Sequence, residues 1–429
     1  MREALSSSAR RQGCPARERP YGAPVSAHKP DAHAPWSLVV LLGAMTAFAS
    51  MSIDMYLPSL PSMVRELHAT PEAGQATLAA FLFGIAFGQL FYGPASDRFG
   101  RRAPAILGIS VYIVASLVCA VAPDIRILVA ARLLQALGGC ASIVVSRAVV
   151  RDRFHQQDSA RVFSLLTLVM GISPILAPLC GGLLLSFGGW RAIFFSLALF
   201  GVAVGLAVVL FLVESRSAET AERARSEHPI QAYFGLIAHP RFLGYLLAGA
   251  LNGACLFAYI SASPELIIGM FKVPPERFGL FFGFNAAGLI GASQLNRLFL
   301  RRHSSDKVLA VAALTSLGFA ALLVVLATTS FLGMWGFLGA LFAVLASFGF
   351  MQANTFAGAL SIDPHRAGSA SALLGSSAFA SGALAAAVLG ALHDGTPRPL
   401  AWVMLGSLAG CASALFLLAL PRRPGEHAA

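Results

Sequence analysis

Residues 88–108 read "GQLFYGPASDRFGRRAPAILG", two apolar arms joined by a turn that packs one acid, Asp97, and three cations, Arg98, Arg101 and Arg102, between Gly93 and the second arm. Each arm belongs to a longer apolar run, 75–96 and 103–122, and each run matches the ~20 residues that a helix needs to cross a bilayer. Working outward, the alternation repeats along the chain. Runs at 36–57, 75–96, 103–122, 125–146, 162–186 and 191–213 come first, the longest polar gap (214–241) follows, and runs at 242–262, 276–296, 307–328, 331–354, 368–392 and 399–420 complete the set. Two groups of six spans about a central charged loop is the organisation of a duplicated transporter. The expected fold is an all-α polytopic membrane protein with twelve transmembrane helices in two groups of six (36–213 and 242–420). A cytoplasmic loop (214–241) joins the groups, and tails lie at 1–35 and 421–429.

Composition agrees, because 57% of the 429 residues are hydrophobic and only 12% charged, with a mean hydropathy of +0.72, far from soluble domains. The net charge of +11 raises nucleic acid as a partner, but its placement follows membrane topology. If the amino terminus is cytoplasmic, the tails and the 2/3, 4/5, 6/7, 8/9 and 10/11 loops hold 24 Lys and Arg, against six on the other side: Arg65, Arg126, Arg191, Lys272, Arg277 and Arg398. The positive-inside rule then sets both termini in the cytoplasm and accounts for the basic charge without nucleic acid. The Arg- and Pro-rich stretch 1–35 has no apolar core and so is no secretory signal; a disordered tail, an overlong start and a transit peptide are the readings open for it. Of the six cysteines, five fall in apolar runs without CxxC spacing and read as buried packing residues.

Two charges are left inside the apolar runs, Asp54 in "SMSIDMYLPSLP" (50–61) and Arg132 in the fourth run. Each costs on the order of 3 kcal/mol at the bilayer centre unless it meets a partner or a polar cavity. Arg132 shares a helix face with Gln135 and Gly139 at i, i+3 and i+7. In the fifth run, Pro174, Pro178 and Gly182 recur every four residues, with Gly171 and Gly181 flanking the same stripe, which predicts a kinked helix with a small-residue packing face. In the 2/3 turn, Gly93 is expected to allow close helix approach, and Asp97 to pair with an Arg or cap a neighbouring helix, a latch that breaks when the halves rock.

These stretches resemble the major facilitator superfamily. Gly93, Asp97, Arg98, Gly100, Arg101 and Arg102 match its G-x-x-x-D-R-x-G-R-R/K pattern between spans two and three. Span four is similar to an R-x-x-Q-G-x-G signature, with Ala136 at the first Gly. Span five is similar to the antiporter signature G-x-x-x-G-P-x-x-G-G, with Ala177 before the Pro. Together with "SIDMYLPSLP" and "GWRAIFF", they make the chain resemble the Bcr/CflA drug-resistance transporters, 12-span drug:proton antiporters of bacterial inner membranes, over residues 36–420. The second half carries a degraded echo of the Asp97 loop, with Asn296 and Arg297 at the Asp and Arg positions. The resemblance implies the major facilitator fold, two six-helix bundles around a central cavity that opens alternately inward and outward, and proton-coupled export of small antibacterials such as bicyclomycin, chloramphenicol-like or sulphonamide-like drugs. It also implies that the functional unit is a monomer and that the proton gradient, with no cofactor, drives transport.

Burial disfavours a carboxylate and suits Asp54 to hold the coupling proton; Arg132 is expected to tune it. The drug cavity should be mainly apolar with a few polar anchors, and the candidates are Met51, Met55, Gln135, Asn252, Tyr259, Asn285, Gln352 and Asn354. The rival on the same fold is a dedicated exporter or importer of one metabolite, for example an amino acid or nucleoside. An enzyme is not expected, because none of the ten histidines lies clearly inside a run and no HExxH, strand-borne GxSxG or P-loop occurs; no metal site is expected either.

Overall fold

The computed structural model describes residues 36–154, 156–217, 222, 229–329, 331–363 and 366–420; the two tails lie outside them. The described residues contain helices and no strands. Eleven continuous helical stretches are long and apolar enough to cross a membrane. One of them, within Gln156–Phe211, is two spans: helical dihedrals run unbroken through Pro174 and Pro178 and fail only at Gly188 and Gly189, where Gly189 takes φ +68°. The described residues therefore make twelve crossings. The break falls on this glycine pair, inside the gap between the apolar runs 162–186 and 191–213, and its second member occupies backbone space that L residues rarely adopt.

Local chemistry sets the helix starts. Span two (Pro71–Phe99) begins with Pro in its first turn, and Thr70 Oγ1 accepts from the Ala73 amide. Span four (Ile125–Arg153) begins at Asp124, whose Oδ1 accepts from the amides of Arg126 and Ile127 at 2.8 and 3.0 Å. Span one is longer than its apolar run suggests. After Trp36–Asp54 the chain passes through a single 3₁₀ turn, Leu57–Ser59, into a further helix, Leu60–Glu66. Pro58 and Pro61 each stand in a first turn, where a missing amide costs nothing. The whole of Trp36–Glu66 is one span, so Asp54 lies within it, roughly 18 Å short of its end at 1.5 Å per residue.

Span three is Arg102–Ala120 and span eight is Pro275–Phe299. Spans nine, ten and eleven are Ser305–Thr329, Gly333–Leu360 and Ala367–Ala391. Span seven, Pro240–Met270, and span twelve, Arg398–Ala419, both finish in π-helical turns. The segment read as a central loop carries a short helix, Pro229–Ile237, and span seven starts two residues earlier than its apolar run. Spans one to six pack on one another, as do seven to twelve. The two sets meet along span two against span eleven and span five against span eight. Large apolar side chains such as Phe83, Phe87, Leu199, Leu206 and Val325 stay exposed on the outside, the surface that lipid would cover. Cys119, Cys140, Cys255 and Cys411 are buried, whereas Cys180 is exposed on span five, contrary to the reading of all five as core.

Candidate functional site

Between the halves lies a cavity of about 1070 Å³, counting the space that opens to solvent. Its walls are mostly apolar, with Phe257, Phe282 and Phe379 among the lining rings. Thr46, Ser50 and Asp54, spaced four residues apart on span one, put a polar stripe on the wall. Asp54 is the lone carboxylate among the lining residues; it is only 4% exposed and has no hydrogen-bond partner among the described residues. Across from it Asn285 Nδ2 donates to Tyr259 Oη at 3.0 Å, and the Tyr259 ring stacks on Phe282. Gln89 of span two and Arg147 of span four complete the polar lining. Of the predicted cavity anchors, Tyr259 and Asn285 are on the wall, as are Gly171 and Pro174.

The other anchors are elsewhere, each for a visible reason. Gln135 is buried between Arg132 and Ser116, accepting at 2.7 Å and donating at 2.8 Å. Asn354 is committed to Asn296. Met51 and Met55 pack into the hydrophobic core. Asn252 is 2% exposed, and its Nδ2, like Gln352 Oε1, is enclosed without a partner among the described residues. None of these six lines the cavity.

Arg132, fully buried, does not pair with Asp54 or reach the cavity. Its guanidinium carbon lies 4.4 Å from the Tyr56 ring centre, 4.1 Å from that of Phe81 and 5.7 Å from that of Phe194. Desolvated cation–π contacts of about 2 kcal/mol each offset part of the burial cost. Because Tyr56 follows Asp54 by two residues, this aromatic cage fixes the backbone that presents Asp54. Asp54 and Arg132, the two charges inside the apolar runs, do not meet, and the cation that shares a cavity with Asp54 is Arg147. Its place in the chain explains why it was missed. Span four continues through Arg147 to Arg153, so this residue is no 4/5 loop cation, and the apolar "IVV" (143–145) and "AVV" (148–150) around Ser146 and Arg147 could have placed it in the helix.

At the end of the molecule where the cation-rich loops lie, called the basic end here, Arg101 is 1% exposed. It donates to Asp152 Oδ2 at 2.7 Å, to Ser96 Oγ at 2.9 Å and to Asp97 Oδ1. The N-terminus of span three is capped by Glu214, not by Asp97. Glu214 Oε1 and Oε2 accept from the Arg101 amide at 2.9 and 3.0 Å, and Oε2 accepts from the Arg102 amide at 3.2 Å. Burial alone would raise the Glu214 carboxyl, but bonds from the amides of Arg101, Arg216, Arg102 and Ser215 outweigh it and hold the group below the usual carboxylate range. Gly100, at φ +93°, makes room, since a Cβ there would stand 2.5 Å from Glu214 Oε2. The close approach expected at Gly93 is not present: a Cβ would meet nothing within 4 Å. Arg102 donates to the Val209 carbonyl at 2.7 Å, and Arg98 lies over its neighbour Phe99.

The far end is closed by backbone approaches. A Cβ at Gly181 would overlap the Met55 carbonyl oxygen, and one at Gly182 would press on Pro275 and Glu276 of span eight at 3.3–3.4 Å. At Gly171 the approach to Ile290 is looser, at 3.4 Å. Glu66 ties the end of span one to span six through Trp190 Nε1, at 2.8 Å, and Arg191. His393 stands 3.9 Å from Glu72 of the first half and 3.9 Å from Glu265 of the second.

A pair of six-helix bundles enclosing an apolar cavity is the architecture of a membrane transporter built from two repeats. The model of the Major Facilitator Superfamily matches residues 42–387, and the chain belongs to that family. It is 34% identical over 391 residues to an uncharacterized MFS-type transporter, YdgK, of Bacillus subtilis, covering 89% of this chain and 96% of that one. It is 32% identical to a bicyclomycin resistance protein homolog of Haemophilus influenzae, over 85% of this chain and 92% of the relative. A chloramphenicol resistance protein of Pseudomonas aeruginosa is 32% identical over 63% of this chain and 64% of its own length. Among solved structures, the xylose transporter XylE from E. coli, in a partially occluded inward-open conformation, superposes with a TM-score of 0.68 at 14% identity, over 90% of this chain and 98% of that one.

Proposed function

We propose that the chain exports small antibacterial drugs across a bacterial inner membrane in exchange for protons, with both termini and the basic end in the cytoplasm. The observation that carries this reading is the lone carboxylate on the wall of an apolar cavity between the two halves, in a chain similar to proteins named for bicyclomycin and chloramphenicol resistance. A charge there is costly unless water, a proton or a ligand compensates it. In the proposed cycle Asp54 takes a proton while the far end is open to the periplasm, and the neutral side chain lets the far end close around it. Opening at the basic end then admits water and drug; the proton leaves to the cytoplasm, and the drug occupies the cavity for the outward turn. Arg132, held by its aromatic cage, acts as a positioning residue for the Asp54 segment. The pairing of Arg101 with Asp97 and Asp152 and the Glu214 cap stiffen the basic end of the first half, so that it moves as one body.

Susceptibility of a pump-deficient strain expressing the chain tests the reading. Minimum inhibitory concentrations of bicyclomycin, chloramphenicol or a sulphonamide should rise several-fold, and a proton uncoupler should restore drug accumulation. Unchanged susceptibility to all three drug types, with transport of one metabolite instead, would replace drug export with dedicated traffic.

A further inference from the structure

The cavity wall contains one cation, and nothing in the proposed proton cycle uses it. Arg147 is exposed to the cavity and has no hydrogen bond or ion pair among the described residues. Of the other polar groups of that wall, Thr46, Tyr259 and Asn285 are committed, whereas Ser50, Asp54 and Gln89 have no hydrogen bond among the described residues. Thr46 Oγ1 donates to the Leu42 carbonyl at 2.8 Å and lies 3.1 Å from Ser146 Oγ, and Asn285 is spent on Tyr259. Gln89 and Ser50 also keep free donors, but Arg147 alone adds a positive charge and a five-donor fork that matches a carboxylate, a sulphonamide anion or a nitro group. Its position along the cavity is fixed by Thr46, since Ser146, its chain neighbour, touches Thr46. Asp54 lies eight residues further along the same helix, about 12 Å at 1.5 Å per residue. Aromatic rings from Phe257, Tyr259, Phe282 and Phe379 line the wall.

From this arrangement we propose that Arg147 is the specificity-determining anchor of the cavity, and that the favoured substrates are aromatic amphiphiles with an anionic or strongly accepting group at one end and a hydrogen-bond donor at the other. The accepting group binds Arg147, the body lies against the rings, and the donor end faces Asp54 when that group is ionised. Deprotonated Asp54 then helps hold the substrate and protonated Asp54 does not, as exchange of drug for proton requires. A lipophilic cation instead meets Arg147 as a like charge. The inference rests on the drug-export reading for the identity of the site, but its test needs neither a gradient nor transport.

Equilibrium binding to the full chain in lipid nanodiscs, at one pH, separates the two. The probes are an acidic sulphonamide in its anionic form, its N-methylated uncharged analogue, and tetraphenylphosphonium. Wild type should bind the anion about tenfold more tightly than the uncharged analogue, the scale of one charge-assisted contact. Arg147→Gln should bring that preference to within about threefold and tighten tetraphenylphosphonium, a gain that a misfolded variant does not show, while Arg147→Lys should keep part of the preference. An anion preference that survives Arg147→Gln, or a wild type that binds neither sulphonamide or both equally, overturns the assignment. Loss of proton coupling in vesicles with the binding preference intact would count against the drug:proton cycle and leave the anchor standing.

Discussion

The basic end is built twice, once in each half, and the two corners differ in charge. In the first half Arg101 joins Asp97 at the end of span two to Asp152 at the end of span four, with Glu214 accepting from the amides beside it. In the second half the matching ends of spans eight and ten are joined by amides: Asn354 Nδ2 donates to Asn296 Oδ1 at 2.9 Å and to the Phe350 carbonyl at 2.8 Å, and Asn354 Oδ1 accepts from Ser305 Oγ at 3.1 Å. Among the described residues, only the first half uses an ion pair between the matching helix ends; in the second half the nearby carboxylate, Asp306, accepts from Tyr245 at 3.2 Å rather than from a cation between those ends. An ionic corner is costly to break, because the surviving partner is left charged and desolvated. An amide corner loses only hydrogen bonds. The first half is thus the one whose geometry answers to salt, pH and single-charge substitutions.

Removing the central cation should have the largest effect. Arg101→Ala leaves Asp152 and Asp97 facing each other without compensation and is expected to destabilise by roughly 3–5 kcal/mol, with transport lost; thermal unfolding in detergent and vesicle uptake read both. Arg101→Lys should recover part of the stability but not the forked contact. The comparison sharpens if a charge is moved across. Asn296→Asp puts a carboxylate into the corner that has no buried cation, at an expected cost of about 1–3 kcal/mol, detectable as a lowered Tm. Removing Asn354's amide with Asn354→Ala should cost less, about 1 kcal/mol, and should show no salt dependence.

The smallest and most diagnostic effect is at Glu214. Its folded carboxyl is held below the unfolded value, so its contribution is fully present above the ordinary Glu range and is lost as pH falls through the folded value. The carboxylate is exposed, and screening keeps the term to about 1 kcal/mol or less. Wild type should therefore lose slightly more stability than Glu214→Gln between neutral and acidic pH. Parallel pH profiles for the two would show that the cap contributes nothing.

Much of this was legible in the sequence for a simple reason: lipid leaves a strong composition signal, and every span shows it. The asymmetry between the corners was readable too, from Asn296 standing where the first half has an acid. What escaped depended on three-dimensional facing. The apolar run of span one stops at Leu57 because Pro58 reads as an end, although prolines in a first turn, Pro58 and Pro61, let the helix resume. Arg147 was counted with loop cations because charge was taken as a boundary. Arg132 and Asp54 stand out together as the charges in apolar runs, and nothing in a linear sequence shows that three aromatic rings surround one of them. The stripe of Thr46, Ser50 and Asp54 was the periodic signal that would have outlined the cavity wall.

The account stands most directly on proton exchange at Asp54. In inverted membrane vesicles energised to an acidic lumen, drug uptake by the wild type should be abolished by an uncoupler, and addition of drug should release protons from the lumen. Asp54→Asn should lose the drug-induced proton release and gradient-driven accumulation while downhill drug exchange persists. Full gradient-driven accumulation by Asp54→Asn would contradict the assignment of the coupling proton to this residue.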